Sequence, residues 1–189
     1  MASLREVSAA MHGALLLARL DRGGMAHFDV SELGFWRSFT AAVLVYPIFL
    51  VLVFSQLDDE TWQNASMLRV LLVETIGYVI GWTAFPLIML PFSRVAGRER
   101  RWLDLMVAFN WSQVPQAVLV IIAIGLTSGG LVSRPSASAV QITAYLVTLL
   151  YEGYVAAVAL EVAAGMAAVV VVIDVALHEF IGAVARQLY

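Results

Sequence analysis

The stretch Ala139–Leu177, AVQITAYLVTLLYEGYVAAVALEVAAGMAAVVVVIDVAL, leaves few folds open. Its charged residues are Glu152, Glu161 and Asp174 alone. A helix pair in water must show a polar face, and this run has none. At about 1.5 Å per residue, a bilayer core of about 30 Å takes roughly 20 helical residues. The run is long enough for two such passages. The polar break at Leu160–Glu161 and the small residues up to Gly165 supply the turn between them. Backbone groups in lipid must find partners within their own element, so both passages are helices. The chain is expected to be an all-α, polytopic integral membrane protein.

Composition points the same way. Of 189 residues, 61% are hydrophobic and 13% charged, whereas soluble domains hold about 25% charged residues. The net charge of −3 offers no basic surface for nucleic acid. The absence of cysteine excludes disulfides, thiolate zinc sites and thiol catalysis. All eleven basic residues are Arg, a bias that reads as a GC-rich bacterial genome and hence an inner (plasma) membrane.

Residues 1–37 read as a cytoplasmic, amphipathic amino-terminal segment, and residues 38–189 as a five-helix transmembrane domain. From Ser3 to Arg22, apolar residues Leu4, Val7, Met11, Leu15 and Ala18 recur at helical spacing. They predict a short helix lying on the membrane surface by that stripe. The apolar core Ala14–Ala18 is too short for a signal peptide. Phe28, Phe35 and Trp36 beside Arg37 suit headgroup depth.

Five spans follow, at about 38–55, 67–90, 104–125, 138–160 and 163–181. Pro47 is expected to kink the first. Asp58, Asp59 and Glu60 read as a solvated turn. Gly77 and Gly81, four apart in the second span, allow close helix approach. Asn110–Gln116 with Pro115 predicts a broken or kinked third span packed against protein. A four-span arrangement, with one of the last two helices in the interface, is the alternative. With the amino terminus cytoplasmic, eight arginines lie inside (Arg5, Arg19, Arg22, Arg37, Arg94, Arg98, Arg100, Arg101) and three outside (Arg69, Arg134, Arg186). The cluster Arg94, Arg98, Arg100 and Arg101 reads as a topology signal, with anionic lipid headgroups as candidate ligands.

The ending of the chain resembles the Yip domain family (Ypt/Rab-interacting proteins), in its bacterial branch. The matching positions are Tyr151, Tyr154, Ala159, Leu160 and Asp174: an aromatic-rich helix, an Ala-Leu pair, a brief turn, then an Ala/Val-rich helix with one acid. The resemblance covers about the last 120 residues and rests on hydropathy pattern. The longer soluble amino-terminal region of eukaryotic relatives has no counterpart here, which weighs against Rab-type binding. The resemblance implies a non-enzymatic membrane protein in membrane organisation or trafficking, acting through lipid, other membrane proteins or itself.

The intramembrane acids supply the other reading. Charge inside a bilayer is costly, and such residues usually face protein or water and mark a pathway. Along the predicted spans, Glu152 lies about 9–12 Å from the cytoplasmic end, Asp174 about 16 Å and Glu74 about 20–24 Å. These depths form a staircase for a proton or cation, with Asn110 and Gln113 as polar neighbours. In the plainer alternative, Tyr78, Tyr151, Tyr154 or backbone groups cap each acid and merely fix helix contacts.

Other chemistry has little support. His178-Glu179 lacks the second histidine of a zinc-protease helix. A chain without Lys cannot form the usual phosphate loop. His12, His27 and His178 are scattered in sequence, so no shared metal site is expected. Ser112 is the mid-span serine, and with no histidine taken to lie within a span no intramembrane protease is expected. No cofactor is expected either. The two functional readings are a Yip-like, non-enzymatic membrane component and a small proton- or cation-coupled transporter or channel.

Overall fold

The computed structural model describes residues 2–189. All of its regular secondary structure is helical among the described residues. Helix α1 spans Leu4–Ala18 and starts at a capping box: the Ser3 hydroxyl accepts from the Glu6 amide, and the Glu6 carboxylate accepts from the Ser3 amide. A 3₁₀ turn, Arg22–His27, folds back against α1. Helix α2 (Glu32–Ser38) leads almost directly into α3 (Thr40–Gln56), and together they make one apolar passage, Glu32–Gln56. The short α4 (Asp59–Asn64) links α3 to α5 (Met67–Val95). A 3₁₀ turn, Glu99–Arg101, precedes α6 (Trp102–Ser128); α7 (Arg134–Leu160) and α8 (Ala164–Arg186) complete the chain.

Five helices are long and apolar enough to cross a membrane: Glu32–Gln56, Met67–Val95, Glu99–Ser128, Pro135–Leu160 and Ala164–Arg186. The protein is therefore a polytopic membrane protein of five candidate spans. Both of the last two helices qualify, which favours five over four. Each runs further than its sequence pattern suggested, because apolar residues continue into the ends. Helix α8 in particular carries Phe180, Ile181 and Val184 on to Arg186.

Helix α6 is the centre. Leu105 through Ser112 are buried without interruption, so this part of the helix is enclosed on all sides. It packs against α1, α2, α3, α5 and α7. Phe109 stacks on Phe85 of α5 with ring centroids 4.2 Å apart. Three expectations change here. The helix continues through Pro115 unbroken. Residues 59–64 are not a solvated turn but a helix, because the Asp58 side chain caps it through the Thr61 amide at 2.6 Å.

The third change concerns α1. Its stripe does not face the core as a unit: Leu4 is 90% exposed and Leu15 51%, Ala18 is exposed too, and Val7 and Met11 pack only partly against the core. The adjacent face, Ala10, Gly13, Ala14 and Leu17, is buried against α6 and α7. Small residues allow that close approach. A Cβ on Gly13 would lie 2.7 Å from the Gly24 carbonyl oxygen, so helix and 3₁₀ turn meet backbone to backbone. Tyr151 and Tyr154 of α7 donate to the carbonyls of Ala14 and Leu20 at 2.8 and 2.6 Å. Arg37 pairs with Glu6. Segment 2–37 is thus docked on one end of the bundle, with Leu17, Phe28 and Phe35 buried and Leu4, Leu15 and Leu20 turned outward.

The turn between α7 and α8 is where the sequence placed it. Glu161 closes α7 in the left-handed conformation (φ 53°), and the Val162 amide donates to the Ala157 carbonyl at 3.1 Å.

Candidate functional site

Asp174 and His178 stand one turn apart on α8 and share a face. The His178 Nδ1 lies 3.0 Å from the Asp174 carbonyl oxygen and 3.3 Å from its Oδ2. The backbone bond assigns the proton to Nδ1, which leaves Nε2 toward α5. There a Cβ on Gly81 would lie 3.7 Å from Nε2, and one on Gly77 would lie 3.1 Å from Ile181. The two glycines therefore let α8 close on α5, as their spacing suggested. Glu74, one turn before Gly77, accepts a hydrogen bond from the Tyr189 hydroxyl at 2.7 Å. Burial, with the Glu74 carboxylate beside it, pushes the Tyr189 phenol up to about 12, so it stays a donor at neutral pH.

A cavity of about 250 Å³ lies between α3, α5, α6 and α8. Glu74, Asn110, Gln113, Asp174 and His178 all line it. A second cavity of about 280 Å³ adjoins it toward α7 and is bordered by Glu152, Gln116 and Thr148. Gln113, Asp174 and His178 border both. Asp174 is thus the hinge of the arrangement, with Glu74 on one side and Glu152 on the other. The three acids of the staircase line two adjoining, largely apolar cavities that share Asp174, and both expected amide neighbours line the first.

The burial is deep. Glu152 is 4% exposed and Asp174 7%. Glu152 Oε1 and Asp174 Oδ1 are fully buried and have no hydrogen-bond partner among the described residues. Such oxygens are costly to bury, and a proton or a cation would satisfy them. None of the three tyrosines expected to cap the acids does so, and among the described residues the one tyrosine on an acid is Tyr189, on Glu74. Tyr78 donates to the Ala42 carbonyl at 2.7 Å, and Tyr151 and Tyr154 are committed to the amino-terminal segment. Asn110 donates to Ser38 Oγ at 2.8 Å, which ties α6 to α2 beside the cavity.

Sequence reasoning missed His178, Gln116 and Thr148. His178 lies within a candidate span, as the predicted bounds 163–181 already required, so the expectation that no histidine lies in a span does not hold. Each of the three stands three or four residues from a residue already singled out (Asp174, Gln113, Glu152), and that spacing was the available signal. The Ser112 hydroxyl donates to the Phe109 carbonyl at 2.7 Å. His12 and His27, scattered in sequence, meet edge to face at 4.7 Å. Among the described residues no group of three or more His, Asp or Glu side chains is placed to hold a metal ion.

The arginine cluster divides. Arg94 pairs with Glu99 at 2.7 Å, and Arg101 pairs with Asp104 at 3.0 Å and with Glu161. Arg98 and Arg100 form no ion pair among the described residues and flank a shallow depression beside Gly97. No family model matches the chain, and neither a curated protein nor a solved structure matches it.

Proposed function

We propose that this is a non-enzymatic membrane protein that passes protons or small cations along Glu74, Asp174 and Glu152. The observation that carries this reading is the pair of unpartnered carboxylate oxygens, on Glu152 and Asp174, at two cavities that share Asp174. Intramembrane acids that face the bundle interior or a cavity often mark substrate or ion pathways. Gln113 and His178 border both cavities and offer hydrogen bonds to a proton in transit. In this reading the protein sits in a bacterial inner membrane with its amino terminus cytoplasmic, as the arginine distribution favours. Arg98 and Arg100 then face anionic headgroups of the cytoplasmic leaflet.

The Yip-like reading keeps one observation in its favour. Tyr151 and Tyr154, two positions of that resemblance, hold the amino-terminal segment on the bundle, and a preshaped cytoplasmic end is what a partner-binding scaffold requires. Proton flux separates the two. The purified protein is reconstituted in liposomes carrying a pH-sensitive dye, and an imposed gradient is followed. Flux in the parent, lost by at least about ten-fold in Glu152→Gln and Asp174→Asn but kept in Glu60→Gln on exposed α4, supports the path. No flux in the parent, or equal flux in all variants, sinks it and leaves the scaffold.

A further inference from the structure

The walls of the cavity between α3, α5, α6 and α8 differ from those of a bare proton channel. Phe49 of α3, Tyr78, Trp82 and Phe85 of α5, and Phe109 of α6 all line it. Their rings form connected pairs: Phe49–Tyr78 at 4.6 Å, Tyr78–Trp82 at 5.9 Å and Phe85–Phe109 at 4.2 Å between centroids. Glu74 and Asp174 line it too, and its one basic side chain is His178, which pairs with Asp174 at 3.3 Å. Aromatic faces and carboxylates each attract cations, and quaternary ammonium groups are held by such rings. A dry cavity of about 150 Å³ holds benzene, so the ≈250 Å³ here suits one ring with a compact charged head.

We infer that the cavity between α3, α5, α6 and α8 binds a small aromatic or aliphatic organic cation, whose charged head faces Asp174 and Glu74 while its apolar part lies on the Phe49–Tyr78–Trp82 wall. The inference deepens the proposed ion path, since Asp174 also borders the Glu152 cavity. Asp174 Oδ1 is the group that makes the site specific: it is buried, it has no partner among the described residues, and it belongs to a residue that lines the cavity. An anion of equal size meets two carboxylates and is rejected. A neutral molecule leaves the oxygen unpartnered. Glu74 is the second charge, steadied by the Tyr189 hydroxyl.

The test uses the full chain in an uncharged detergent, titrated calorimetrically with phenyltrimethylammonium and, separately, with benzenesulfonate. The two probes have similar size and opposite charge, so the parent protein alone decides the main point. Saturable binding of the ammonium and none of the sulfonate is the expected result. Asp174→Asn and Glu74→Gln should each weaken the ammonium by roughly ten-fold or more. No saturable binding of the ammonium, or equal binding of both probes, overturns the inference. Undiminished affinity in both variants overturns it too. Proton flux that depends on Glu152 without ammonium binding leaves the path standing and removes this site. Ammonium binding without proton flux supports the site and removes the path.

Discussion

Two leucines on α1 set the docked amino terminus against a helix that merely lies on lipid. Leu17 is 0% exposed, enclosed by α1's partners and close to Gly24, while Leu15 is 51% exposed on the outward face. Truncating a fully buried leucine to alanine costs about 3 kcal/mol, from lost transfer energy and the cavity left behind. Since 1.4 kcal/mol is a factor of ten, Leu17→Ala should raise the local opening of segment 1–30 by roughly 100-fold. Leu15→Ala removes a half-exposed side chain and should cost under about 1 kcal/mol, or less than roughly five-fold. Amide hydrogen exchange across α1, in micelles or nanodiscs, reads both. A surface-lying helix gives the reverse order, because Leu15 would then be the lipid anchor. If Leu15→Ala opens the segment as much as Leu17→Ala, docking against α6 and α7 is wrong.

Gly24→Ala is expected to loosen the same segment, since its Cβ would lie 2.5 Å from the Gly13 carbonyl oxygen, a backbone atom that cannot step aside; unchanged exchange over residues 10–27 would contradict this. The Glu6 carboxyl is held below its ordinary value of 4.5, first by the Ser3 backbone and hydroxyl and then by Arg37. A depressed folded value means its contribution is present above 4.5 and is lost as pH falls through the lowered value, so protease cleavage within residues 1–30 should rise only below about pH 4.5 in the parent. Cleavage that is flat from pH 6 to pH 3 would refute that linkage. Tyr189→Phe removes the donor to Glu74 and should cost about 1 kcal/mol at the end of α8; exchange of its last turn reads this, and no acceleration would show the bond to be idle.

Hydropathy made the membrane fold legible, because lipid leaves the backbone no partner outside its own helix and a span must therefore be one long apolar run. The break at Glu161 was legible for the same reason, as a charged residue near the middle of a run about two spans long and followed by small residues. The acids Glu74, Glu152 and Asp174 were equally visible, since charge is rare in these helices. Which face of α1 is buried was not legible. Its leucine stripe is the more hydrophobic, yet lipid and headgroups satisfy it as well as protein does. The choice fell to the small residues Ala10, Gly13 and Ala14, whose value lies in how closely another backbone can approach. Nor does periodicity tell which acids meet. Glu74, Asp174 and Glu152 lie on three different helices, and only the packing of α8 against the glycine face of α5 and against α7 makes Asp174 common to both cavities. Residue types alone set what chemistry the chain carries into the membrane; interhelical distances, decided by small side chains far apart in sequence, set which of those groups act together.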